Sequence, residues 1–146
     1  METKMHPFMF DGSIIPRGFH LPQDYIDLLT KENPPEIEPW IFLAHDMGTS
    51  LYYYGSLLIK FPERPLLPFA MIHDVTGFYN NGMIVLACFD TTDLSHNPCV
   101  RSYDFSKPNL SPWENIFYDD FNDWLKAAKI ESHHYKIDKA EANKDL

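Results

Sequence analysis

No apolar run in this chain approaches the ~20 residues that a membrane-spanning helix needs, and the opening METKMHPFMFDGS has no hydrophobic segment long enough for a secretory signal. A cytoplasmic protein with no membrane role is expected. Only two cysteines occur, Cys88 and Cys99, neither in a Cys-x-x-Cys pair. That is too few for a disulfide framework or a structural zinc site. They read as buried thiols; adjacent strands could bring them together, but a reducing compartment disfavours a bridge. Basic residues are sparse: 12 Lys and Arg stand against 21 Asp and Glu, for a formal net charge of -9. Nucleic-acid binding draws on clustered cations that displace counterions from phosphates, and here they are scattered singly, so no direct nucleic-acid contact is expected. No catalytic signature stands out, and no cofactor is expected.

What the chain does contain is core-forming material. With 45% hydrophobic and 15% aromatic residues in 146 positions, it can close one hydrophobic core without staples. Its negative charge suits a basic partner, because complementary potential speeds encounter and rejects polyanions; it also serves solubility.

The densest structural signals lie between Leu66 and Phe105. Met83 to Phe89 is apolar at every position, the pattern of a central strand covered on both faces. Flanking strands are expected at Leu66 to Ala70 and Cys99 to Phe105. Asn80-Asn81-Gly82 supplies the positive dihedrals of a tight hairpin, and Asp90 to Pro98, rich in Asp, Thr, Ser and Asn, reads as an exposed loop. Arg101 and Asp104 mark the third strand as partly exposed or near an edge.

Before this stretch, Met1 to His20 reads as turns with room for one short edge segment. A helix is expected from Leu21 to about Glu32, with Pro22 at its first position and Tyr25, Ile26 and Leu29 on one face. Asn33-Pro34-Pro35 ends it. Trp40 to Leu43 fits a strand or a helix entry. Gly48 to Lys60 reads as a second helix with Leu51, Tyr54, Leu57, Leu58 and Phe61 inward; the tyrosines at 52 to 54 then serve the core and its boundary. After the sheet, Ser111-Pro112-Trp113-Glu114 has the capping-box pattern of a helical turn. A last helix follows, with Asp119, Asp120 and Asp123 near its start, Lys126 and Lys129 near its end, and Phe121, Trp124, Leu125 and Ala128 facing the sheet. One domain over residues 1–130 and a polar tail or frayed helix over 131–146 are expected.

LPQDYIDLLTKEN, ERPLLPFA, MIVLACFDT, NPCVRSYDF and DFNDWLKAA, in that order from Leu21 to Ile130, resemble the SUKH superfamily, which includes a fungal cell-wall-synthesis regulator and many bacterial toxin-immunity proteins. The chain departs from the family pattern at Asn33-Pro34, where Asn-Gly is frequent, and before the central strand, where glycines are. The resemblance implies an α+β domain with a central antiparallel sheet flanked by helices. It also implies a non-enzymatic protein-binding role, commonly the neutralisation of a nuclease or other toxin; a regulatory scaffold of the fungal type is the alternative.

Candidate partner contacts are Asp90, Asp93 and Asp104, with Trp113 as an aromatic anchor. Turn chemistry for the loop acids and ordinary packing for Trp113 are the simpler account of each residue taken singly. A metal-dependent hydrolase would need the sheet to bring His73 and Asp74 to Asp90, Asp93 and His96. A Cys88–His73 nucleophile is a weaker idea, since a thiol inside an apolar strand has a raised pKa and poor access. His133-His134 reads as exposed, because adjacent helical residues do not share a face.

Overall fold

A computed structural model describes residues 7–31 and 34–144. The expected end of the first helix at Glu32 and Asn33, and the parts of the expected terminal segments at residues 1–6 and 145–146, lie outside the described residues. Helix α1 (Gln23–Thr30) starts behind Pro22, which sits one position earlier than expected, as an extended N-cap residue. Trp40 to Leu43 satisfies both of its sequence signals: strand β1 (Trp40–Phe42) runs directly into a 3-10 turn (Leu43–His45). Helix α2 (Met47–Lys60) follows, capped by the Asp46 carboxylate, which accepts from Thr49 N–H at 3.0 Å.

Four further strands, β2 (Leu66–Ile72), β3 (Val85–Asp90), β4 (Val100–Asp104) and β5 (Phe117–Tyr118), complete a five-stranded sheet. Every neighbouring pair is antiparallel, and spatial order equals chain order, β1-β2-β3-β4-β5. The expected α+β architecture is therefore present, with helices over a central antiparallel sheet. Register is set by Leu66 opposite Asp90, Val85 opposite Asp104 and Arg101 opposite Phe117. A shift between Pro68 and Ala70 interrupts the β2–β3 ladder. Proline has no N–H for the ladder, and the irregularity admits it to an inner strand.

β3 is covered on both sides, as its unbroken apolar run requires. Ala87 and Phe89 join Leu67, Phe69, Ile72 and Val100 against Tyr25 of α1 and Trp124 of the last helix. Leu86 and Cys88 join Leu66, Met71 and Tyr103 against Leu57 of α2. The strand starts later than expected, since Met83 is 43% exposed. Asn80, Asn81 and Gly82 all have positive φ, yet they form no two-residue hairpin. They close the far end of a longer connection from His73 to Ile84. Gly82 has φ +80°, and a Cβ there would stand 3.3 Å from the Asp74 carbonyl oxygen.

In α2 Tyr54 and Leu57 are buried and Leu58 and Phe61 pack on the core as expected, but at the start of the face Ser50 takes the inward place, donating to the Leu43 carbonyl at 2.7 Å, while Leu51 is 39% exposed. The tyrosines grade from exposed Tyr52 through Tyr53 to buried Tyr54. Ser111 to Asn115 forms the expected helical turn, with Glu114 and Asn115 N–H donating to the Ser111 carbonyl.

Helix α3 (Phe121–Lys144) is the largest difference from expectation. Its first half presents Phe121, Trp124 and Ala128 to the sheet as foreseen. It then continues without a break through Ile130, where the sequence turns polar, and buries Ser132 and Tyr135 as well. No helix of the described residues is long and apolar enough to cross a membrane.

Candidate functional site

The residues singled out from sequence converge only in part: Asp90 and Asp93 both meet Cys99, and the Arg101 guanidinium paired with Asp90 lies 6.0 Å from the Trp113 ring centroid, but the histidines and Asp104 are elsewhere. Asp90 closes β3 opposite the start of β2, whereas His73 and Asp74 follow the far end of β2, beyond the Ile72–Val85 pair. Six residues of strand, about 20 Å, separate the two groups, so the postulated metal cluster does not assemble. No grouping of three His, Cys, Asp or Glu suited to a metal is present among the described residues. His96 instead lies beside His20, with ring centroids 5.6 Å apart. Cys88 is fully buried, and desolvation pushes its thiol well above the ordinary range; no His73 imidazole shares its environment. Cys88 and Cys99 are both free thiols, Cys99 only half buried. His133 and His134 are exposed.

Asp90 departs most from its expected role. It is 3% exposed, not the first residue of an exposed loop, and Arg101 Nε donates to its Oδ2 at 2.7 Å. Its other oxygen accepts from Thr92 N–H and Oγ1–H. Burial alone would raise this carboxyl, but the Arg101 and Thr92 hydrogen bonds outweigh it and hold the pKa below 3.8. Thr91 is buried too, donating to the Pro65 carbonyl. Asp93 closes its own turn by accepting from Ser95 and Cys99 N–H. Asp104 sits at the opposite end of β4 and accepts from Asn80 Nδ2 and Ser106. Trp113 is half buried, its ring 5.1 Å from that of Phe61 and 4.9 Å from the Arg64 guanidinium. Asp93 and Asp104 keep partial exposure; Asp90 has none to offer a partner.

The structure assembles a different site around Glu131. One turn beyond Ala128 on α3, its half-buried carboxylate meets two aromatic donors from remote parts of the chain. Trp40 Nε1–H donates to Oε1 at 2.7 Å, and the Tyr79 hydroxyl donates to Oε2. Both donors are neutral. Tyr79, Tyr118 and Glu131 line two hollows that flank them, of about 560 and 320 Å3. Phe78, Ile130 and Tyr135 wall the larger one.

The electrostatics of the cleft are negative. Burial, followed by the hydrogen bond to Glu131 and its charge, raises the Tyr79 hydroxyl far above its ordinary 10. Burial and the same carboxylate raise Tyr118. Sequence reasoning missed this site because Glu131 begins the segment read as a polar tail. The only local trace is the spacing of Trp124, Ala128, Glu131 and Tyr135, which continues the stripe of the helix one polar residue further.

The chain matches no family model, no curated protein and no solved structure.

Proposed function

We propose that this chain is a non-enzymatic binding module of the immunity type, which holds and neutralises a basic protein partner such as a nuclease toxin domain. The observation that carries the proposal is where its acidic excess lies. Among the described residues one carboxylate is ion-paired, Asp90 with Arg101, although 21 Asp and Glu outnumber 12 Lys and Arg. The negative charge is thus left to act outward, where it accelerates association with a cationic surface. The succession of motifs from LPQDYIDLLTKEN to DFNDWLKAA supports the same reading, as does the antiparallel sheet with helices on both faces that the SUKH resemblance implies. Asp93, Asp104 and Trp113, each partly exposed, are the members of the expected contact set with access to such a partner.

The test is purification from the native cell, identification of stoichiometric partners, and reconstitution with the purified partner. A single basic protein is expected, bound with an affinity that falls as ionic strength rises, and inactive when bound. Recovery of several unrelated partners with intact activities would favour the scaffold reading. A partner whose affinity ignores salt would overturn the electrostatic basis.

A further inference from the structure

We infer that the cleft around Glu131 is a pocket for one cationic side chain, a lysine ammonium or an arginine guanidinium, presented by a protein partner. Such an occupant presupposes the basic partner proposed above; what is added is where and how it is held.

Three independent features select a cation. Glu131 is anchored through both oxygens by neutral donors, Trp40 Nε1 and the Tyr79 hydroxyl. These fix the carboxylate without cancelling its charge. The walls are aromatic, with Tyr79, Tyr118 and Tyr135 around the larger hollow, and ring faces carry the negative side of the quadrupole. The other charges do not neutralise the site. Asp138 lies on the rim of the larger hollow; Lys107 lines the smaller one, where Asp104 stands with it as a second acid whose carboxyl it lowers; and the Lys139 ammonium stands over the Tyr135 ring at 5.4 Å from its centroid. That last contact shows the chain's own ammonium using one of these aromatic faces from outside the lining.

The rim argues for a side chain over a free ion. Ile130 is 61% exposed and Phe78 44% exposed at the larger hollow, and Ile116 is 67% exposed at the smaller. Apolar side chains at the mouth match the methylene stem of lysine or arginine while the charged head reaches the carboxylate. An anion would meet Glu131 directly, and a metal would find a single carboxylate already committed to two donors.

Isotope-labelled full-length chain titrated with Nα-acetyl-lysine amide, Nα-acetyl-arginine amide and the uncharged Nα,Nε-diacetyl-lysine amide tests the pocket by NMR. Saturable shifts are expected at Phe78, Tyr79, Tyr118 and residues 130–135 with both cationic probes and not with the uncharged one. Glu131→Gln keeps one acceptor oxygen, for Trp40 Nε1–H, turns an NH2 donor toward the Tyr79 hydroxyl oxygen and removes the charge, and should weaken binding about tenfold. Ile130→Lys, at an exposed helical position, should abolish it by supplying an internal ammonium while leaving the fold intact. Equal shifts with the uncharged probe, or binding unchanged in both variants, would overturn the inference. Probe binding at the cleft with no basic protein ever bound would sink the partner reading alone. A basic protein bound equally well by both variants would sink the pocket alone.

Discussion

Arg101, one pair in from the end of the β3–β4 ladder and opposite Cys88, reaches diagonally to Asp90 and places its Nε 2.7 Å from the carboxylate. The side chains are 19% and 4% exposed, so the acid depends on the base for its solvation. Arg101→Met would keep most of the stem and strand the charge. A loss of about 3 kcal/mol is expected, toward the lower end for a broken buried pair because Arg101 retains some water. Chemical denaturation checks it: the midpoint should fall with the slope unchanged. An unchanged midpoint would show that Thr92 alone suffices for Asp90.

The same carboxylate predicts an acid limb. Asp90, Asp93 and Asp104 all have pKa values below 3.8. Burial acts against this in each, and hydrogen bonds to the ionised form prevail. Asp74 is lowered chiefly by the Thr76 hydroxyl. A depressed folded-state pKa contributes stability that is complete above the unfolded value and is lost as pH falls through the folded one. Stability should therefore hold to about pH 5 and decline below about pH 4. Urea midpoints measured across that range should fall less steeply for Asp90→Asn, which has no proton to take up.

Trp124→Ala should cost about 3 to 5 kcal/mol through lost burial and cavity formation. The indole is 1% exposed, with its ring 4.8 Å from Phe69 and 5.3 Å from Trp40. It joins α3 to β1 and β2 at once. A thermal melt insensitive to this substitution would contradict the packing of α3 on the sheet.

Truncation after Ile130 tests whether the polar half of α3 is an appendage. It removes Glu131, the acceptor for Trp40 and Tyr79, and Tyr135, which packs edge-on against Phe78 and Tyr79. A drop in Tm of several degrees or more is expected, since even one lost kilocalorie moves a domain of this size by about 3 °C. Unaltered melting would make residues 131–144 dispensable to the fold.

Much of the architecture was legible in residue order. A continuous apolar run bounded by turn residues located the inner strands, and the 3.6-residue stripe from Phe121 located α3. Reading failed where partners are distant. Asp90 carries the chemistry of a loop residue, and only the β3–β4 register reveals that Arg101 takes it inside. Glu131 is an ordinary surface residue by composition; its environment comes from Trp40, 91 positions away, and Tyr79, 52 away. Leu51 and Ser50 exchanged places because a serine can be buried once the Leu43 carbonyl receives its hydroxyl. Asn81-Gly82 signalled positive dihedrals correctly, but dihedrals alone do not set the length of a connection.

Because the strands stack in the order in which they occur, the sheet can be assembled by successive closures between chain neighbours, each costing less chain entropy than a closure across the whole chain. α3 is different: its bond to Trp40 joins positions 91 residues apart and needs β1 already in place in the sheet. The folding barrier is therefore expected to be crossed with the meander largely paired and α3 still undocked. Substitutions in β2 and β3 would then slow folding, while Trp124→Ala would mainly accelerate unfolding; a φ-value near one at Trp124 would reverse that order of events.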